Sequence, residues 1–234
     1  LSAKNLINIS SDGLNEISGI DFGHGVDLAT FNCTNNDITI NQNSNASVLS
    51  QIFGIKSNYS NSQSVINLNS ISIFQTQTSG LTSSDVFGIK TGFVQTGLTL
   101  LNNQININQN SPTLNGSYSG LNIFIDIESS LDNGNVSNNT LTSSIGGLRT
   151  TGIKYGIKFN TSFQNGILFN NNSLNFILNS NSGAIYGLFE SANSNGLINN
   201  ISNNNILFSN LSGSTNVYGI NTLLGASTAI KNIT

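Results

Sequence analysis

A short motif returns along the chain at nearly fixed intervals. It is an apolar residue, an aromatic, Gly, then Ile or Leu. Copies are Ile52-Phe53-Gly54-Ile55, Val86-Phe87-Gly88-Ile89, Lys154-Tyr155-Gly156-Ile157, Ile185-Tyr186-Gly187-Leu188 and Val217-Tyr218-Gly219-Ile220. A weaker copy is Ile17-Ser18-Gly19-Ile20, and Gly120-Leu121-Asn122-Ile123 reads as a copy with Asn in the Gly place. Positions 19, 54, 88, 122, 156, 187 and 219 are 35, 34, 34, 34, 31 and 32 residues apart. Few folds accept such a beat. Each repeat must be one structural unit stacked on the next.

A second motif keeps the same beat: Asn, a polar residue, an apolar residue, any residue, an apolar residue. It begins at Asn36, Asn69, Asn103, Asn138, Asn172 and Asn204, with steps of 33, 34, 35, 34 and 32. Asn5 opens the same pattern one step earlier. The chain holds 43 Asn among its 234 residues, but composition alone would not lock two motifs in one phase.

Each repeat divides into three short apolar runs separated by turn residues, which reads as three strands. Strand A carries the aromatic-Gly-Ile motif. Strand B is the apolar run before the Asn, such as Val65 to Leu68 or Leu98 to Leu101, and strand C follows the Asn. Asn133-Gly134, Asn165-Gly166 and Asn195-Gly196 mark turns between A and B. No window carries a sustained helical period with caps. The expectation is an all-β parallel solenoid with three strands per coil and about six to seven coils of 31–35 residues. It forms one segment over residues 1–234, with repeats near 17–51, 52–85, 86–119, 120–153, 154–184 and 185–216, and partial repeats at 1–16 and 217–234.

Stacking in register puts like on like. Side chains alternate along a strand, so Phe53, Phe87, Leu121, Tyr155, Tyr186 and Tyr218 are expected inside, together with Ile55, Ile89, Ile123, Ile157, Leu188 and Ile220. In strand C the inward row is Ile38, Ile71, Ile105, Thr140, Leu174 and Ile206, and the outward row is Asp37, Ser70, Gln104, Asn139, Ser173 and Asn205. The motif Asn shares the inward parity. Its amide can bond to the amides above and below, and Asn tolerates the left-handed backbone of a corner.

Triangular coils, aliphatic and aromatic ladders and a corner Asn resemble right-handed parallel β-helix proteins, such as autotransporter passenger domains and polymorphic outer-membrane proteins. The likeness covers nearly the whole chain and is one of fold. Regular ladders, sparse charge and the absence of a catalytic constellation set the functional expectation: a non-catalytic structural or adhesive segment of a secreted or cell-surface protein, an adhesin rod or a filament subunit, with a polysaccharide-degrading β-helix enzyme as the alternative. A transmembrane β-barrel is the rival architecture, but its strands alternate over about ten residues, longer than the Asn-broken runs here.

Charge is sparse. Only 7% of residues are charged, against roughly 25% in ordinary domains. Seven Lys and Arg against ten Asp and Glu exclude a basic nucleic-acid surface. No stretch is apolar enough for a spanning helix. Twelve Asn-X-Ser/Thr sites occur, close to the roughly eleven that this composition yields by chance, so they carry little weight as glycosylation signals.

Asp126 and Glu128 are the candidate catalytic pair. They lie two residues apart in a strand-like run, hence on one face roughly 7 Å apart along the strand, a separation that suits inverting glycoside hydrolysis or oxygen ligation of Ca²⁺. Two places beyond the motif Gly stand Asp21, Lys56, Lys90, Phe124 and Lys158, an expected outer row. His24 is the one His, in a loop-like Gly23-His24-Gly25, and Cys33 reads as a small strand residue. There is no phosphate-binding Gly loop, nucleophile elbow or Cys-X-X-Cys. Neither a cofactor nor a metal is expected. The partners expected are surface glycans and further coils, whether of a longer chain or of another copy, because residues 1–16 and 217–234 read as incomplete repeats with strand edges open to pairing.

Overall fold

A computed structural model describes residues 4–12, 16–25, 31–44, 51–59, 61–62, 64–77, 80–82, 84–92, 95–110, 116–118, 120–128, 131–146, 152–159, 167–178, 183–190, 198–209, 216–221 and 230–233. The Asn165-Gly166 and Asn195-Gly196 turns lie outside these residues.

The chain is a parallel β-solenoid. Three seven-stranded sheets run its length. Sheet A holds Ile17–Gly25, Gln51–Tyr59, Asp85–Thr91, Asn122–Ile127, Lys154–Phe159, Ile185–Glu190 and Val217–Asn221. Sheet B holds Asn32–Thr34, Val65–Asn67, Thr99–Leu101, Asn135–Ser137, Ile167–Asn170, Ile198–Ser202 and Ile230–Ile233. Sheet C holds Asn5–Ser11, Asn36–Ser44, Ser70–Gln77, Gln104–Asn110, Thr140–Gly146, Ser173–Leu178 and Asn205–Ser209. Each strand pairs with its equivalents in the coils before and after, for example Asp37↔Ser70 and Ser70↔Gln104. Coils are numbered below from the sheet A strand at Ile17, so Asn122 opens coil 4 and Lys154 opens coil 5.

The interior is a set of ladders. Ile38, Ile71, Ile105, Leu141 and Leu174 form one row of sheet C, and Cys33, Ile66, Leu100, Val136, Phe169 and Ile201 form the inward row of sheet B. The sharp corner from B to C is made by one left-handed residue per coil: Asn35, Leu68, Asn102, Asn138, Asn171 and Asn203, with φ between 53° and 59°. Leu68 therefore belongs to the corner and is exposed, not to the strand before it.

Immediately after the corner comes the Asn ladder. Asn36, Asn69, Asn103, Asn139, Asn172 and Asn204 donate or accept in sequence, with Nδ2 to Oδ1 distances of 2.8–3.0 Å. Asn5 joins by donating to Asn36 Oδ1. The second Nδ2 proton goes to a sheet B carbonyl, as from Asn103 to Ile66 O at 2.9 Å. Each Oδ1 also receives the backbone N–H of the preceding coil's Asn, as Asn103 Oδ1 does from Asn69 N. Buried amides with every group paired stabilise the corner rather than weaken it.

Four expectations need correction. The ladder member in coil 4 is Asn139, not Asn138, which takes the exposed left-handed corner place. The rest of that strand shifts with it. Leu141 and Ser143 face inward, while Thr140 and Thr142 do not; Thr140 pairs with Gln104 and Leu141 with Ile105. Second, the coil 4 copy of the sheet A motif is Ile123-Phe124-Ile125, since Phe87 pairs with Ile123 and Ile89 with Ile125. Phe124, not Asn122, stands in the Gly place. Third, the aromatic and Ile rows do not share a face. Ile52, Ile55, Val86, Ile89, Ile125 and Ile157 pack in the main core, whereas Phe53, Phe87, Ile123 and Tyr155 form a separate apolar cluster. Alternation therefore slips at the Gly between them. A Cβ on Gly88 would lie 2.5 Å from Ile105 Cγ2 and 2.6 Å from the Phe124 carbonyl oxygen, so close backbone approach explains the Gly. Fourth, His24 is not in a loop. It pairs with Asn58 inside Ile17–Gly25, after a register shift where Gly23 has φ +68° and donates its N–H to Asp21 Oδ1 at 2.7 Å.

Candidate functional site

The outer side of sheet A carries a cluster of charged residues. Its aromatic ladder is regular: Phe53 stacks on Phe87 at 5.0 Å, Tyr155 on Tyr186 at 5.1 Å and Tyr186 on Tyr218 at 4.8 Å, all within 11° of parallel. Phe53, Phe87 and Tyr155 are buried. Tyr218, in the last described strand of the sheet, is 39% exposed. Beside this ladder runs the row Asp21, Lys56, Lys90, Asp126, Lys158 and Phe189, fixed by Cα pairing. Asp126 thus takes the place expected for Phe124. That single exchange changes the electrostatics, because a carboxylate now separates Lys90 from Lys158.

The lysines lie over the rings. Lys56 Nζ is 4.8 Å from the Phe53 centroid, Lys90 Nζ 4.6 Å from Phe87 and Lys158 Nζ 5.4 Å from Tyr155. Their stems cover aromatic surface while the ammonium meets the ring faces. Carboxylates complete the row. Lys56 bonds Glu16 at 2.6 Å, Lys90 pairs with Glu128 at 3.1 Å and Lys158 lies 3.8 Å from Asp126 Oδ1.

Asp126 and Glu128 do share the outer side, and the two carboxyl groups feel each other's charge. They are not equally placed. Glu128 is well exposed, whereas Asp126 is 0% exposed and neither of its oxygens has a hydrogen-bond partner. Burial pushes the Asp126 carboxyl up to about 6; Lys158 and then Lys90 pull it down, and Glu128 adds to the rise. Asp126 can hold a proton up to about pH 6, but a polymer in solvent touches Glu128 and not Asp126. Burial, then the neighbouring Tyr186 and Asp126, also raise the Tyr155 phenol.

A second polar group lies inside. The core row of sheet A reads Ile17, Ile52, Val86, Asn122, Lys154, Ile185 and Val217. Lys154 is 0% exposed, its Nζ has no hydrogen-bond partner, and burial pushes it down to about 7. Asn122 donates Nδ2 to Gln109 Oε1 at 3.2 Å, at the end of a buried Gln ladder in which Gln109 donates to Gln75 and Gln75 to Gln42. Asn122 Oδ1 and the hydroxyl of buried Ser143 have no partner. Both features had a sequence signal: Lys154 stands where every other copy except that of coil 4 has Ile or Val, and Gln42, Gln75 and Gln109 keep steps of 33 and 34.

Cys33 is a small inward residue of sheet B. Burial pushes its thiol up to about 11, against the pull of a hydrogen bond from Asn36. Among the described residues no three His, Cys, Asp or Glu gather where they could hold a metal ion, and no helix is long and apolar enough to cross a membrane. Compared with known protein families, curated proteins and solved structures, the chain matches none.

Proposed function

We propose that this chain is a non-catalytic structural or adhesive β-solenoid segment of a secreted or cell-surface protein, of the autotransporter-passenger or extracellular-filament kind. One observation supports the reading most: three seven-stranded parallel sheets stack coil on coil, braced at one corner by an unbroken Asn ladder. Seven strands about 4.8 Å apart make a stiff body roughly 30 Å long. The outer rows of sheet C supply its contact surface. They carry amides and hydroxyls, such as Thr39, Ser72, Asn106, Thr142 and Asn175, repeating every coil. Such a face, with Asp37 as its one charge among the described residues, hydrogen-bonds sugars and neighbouring chains with little charge selection.

Electron microscopy of the native source, with the chain labelled by antibody, tests this. Rods on the cell surface or extracellular filaments are expected. Label confined to dispersed particles inside the cell would overturn it. So would turnover of a polysaccharide panel by the purified chain that Asp126→Asn abolishes, which would establish the carbohydrate-active reading instead.

A further inference from the structure

Apart from the isolated Ser57, Ser64 and Thr91 hydroxyls of coils 2 and 3, unpartnered buried polar atoms concentrate in two adjacent coils, and three of them are inward-facing. Asn122 Oδ1 and Ser143 Oγ are in coil 4, and Lys154 Nζ is in coil 5. Asn122 and Lys154 are direct cross-strand partners, in a row that elsewhere holds Ile or Val. Ser143 likewise interrupts the sheet C row Ile40, Ile73, Ile107, Ser143, Phe176. Buried donors and acceptors without partners forfeit their hydrogen bonds to water and destabilise the closed structure. The inner row at the coil 4–5 boundary therefore lacks the satisfaction that the Asn ladder provides at the corner of the same two coils.

We propose that this boundary is a proton-operated break point: taking up a proton at Lys154 loosens the pairing between Asn122–Ile127 and Lys154–Phe159, while the coils on the N-terminal side stay closed. An ammonium inside an apolar core is strongly disfavoured unless it is paired. Among the described residues no anion faces Lys154. Asn122 and Ile185 flank it in its row, and the described inward residues of the nearby sheet C strands are Gln109, Leu141, Ser143, Leu174 and Phe176. Those of sheet B are Val136 and Phe169. Glu190 pairs with Phe159, five residues along the strand and so roughly 16 Å away. Asp126, Tyr155 and Lys158 lie on the outer side. Opening the boundary lets water reach Nζ, so the opened form binds a proton that the closed form does not.

The sign follows. The closed-state value, about 7, lies below the ordinary 10.5. Between those values the opened form holds more protons, so closure strengthens as pH rises from 7 to 10.5 and is insensitive to this group below 7. Asp126 titrates below that window.

Hydrogen exchange read by mass spectrometry on the full chain at pH 9 and pH 7, corrected for intrinsic rates, tests the proposal. Protection of Asn122–Ile127 and Lys154–Phe159 is expected to fall by about fifty-fold at pH 7 relative to Gln51–Tyr59 and Asp85–Thr91. Lys154→Met is expected to remove that fall. Equal protection at both pH values in the native chain, or an equal fall in all coils, overturns the proposal whether or not the variant folds. Persistence of the fall in a folded Lys154→Met chain also overturns it.

Discussion

Coils 2 and 3 stack like on like, and coils 4 and 5 do not. In the first pair Phe53 meets Phe87, Ile55 meets Ile89, Asn69 meets Asn103 and Gln75 meets Gln109. In the second, Ile123 meets Tyr155, Asn122 meets Lys154 and Asp126 meets Lys158. Phe124 stands where coils 3 and 5 have Gly88 and Gly156. The backbone register survives all of this. Parallel pairing and the Asn ladder continue through both regions, so they set the architecture, and side-chain identity sets how well each boundary is satisfied. The exchanges are partly compensating: the ring of Phe124, 5.7 Å from Phe176, adds volume in the same coil in which Ser143 replaces an Ile.

The corner should respond most. Asn139→Ala removes bonds to Asn172 Oδ1 and Leu100 O and strands the Asn103 amide, and it is expected to lower stability by about 3–5 kcal/mol in urea melts. Asn138→Ala, one residue away on the exposed corner, should lose about 1 kcal/mol through its left-handed backbone. Equal losses would return the ladder to Asn138.

Next come the two versions of one core row. Lys154→Met exchanges an unpaired buried amine for an apolar chain of similar length and should raise stability at pH 7 by about 1–4 kcal/mol. Val86→Met, where the row is apolar, overfills it and should lower stability by about 1–3 kcal/mol. The same sign for both would mean that the regions do not differ as described.

Asp126 gives a smaller, pH-dependent effect. Its folded value, about 6, lies above the ordinary 3.8. The native chain therefore holds the extra proton between those values, and stability falls as pH rises from 4 to 6. Asp126→Asn should flatten that part of a urea-midpoint profile. A midpoint that rises over the same window would contradict the burial of this carboxyl. Smallest of all, Ser70→Ala on the outer row of sheet C should stay within about 0.5 kcal/mol in either pH range.

Most of the architecture was legible because it rests on repetition. A period near 33 residues, three runs per repeat and an inward Asn follow from spacing and parity. Three local features were not. Asn138 and Asn139 are adjacent, and the beat alone accepts either; Asn139-Thr140-Leu141 is the better Asn-polar-apolar match, and the backbone places Asn138 at the left-handed corner. Asn122 kept the 34-residue beat, but Phe124 pairs with the Gly row, at steps of 36 and 32 from Gly88 and Gly156, because spacing between coils absorbs the difference. Strict alternation put Phe53 and Ile55 on one face, and the Gly between them breaks it. The burial of Asp126 followed from that same misplaced copy, since a Phe had been expected between Lys90 and Lys158.

Pairs of spin labels along one outer row of sheet C measure the stack directly. The row is Asp37, Ser70, Gln104, Thr140, Ser173 and Asn205. With Cys33 replaced by Ala, labels on Asp37→Cys with Thr140→Cys, and on Asp37→Cys with Asn205→Cys, span three and five coils. Backbone separations of about 14 and 24 Å are predicted, a constant step near 4.8 Å per coil plus a common label offset. A 37–205 distance equal to or shorter than the 37–140 distance would contradict a parallel solenoid.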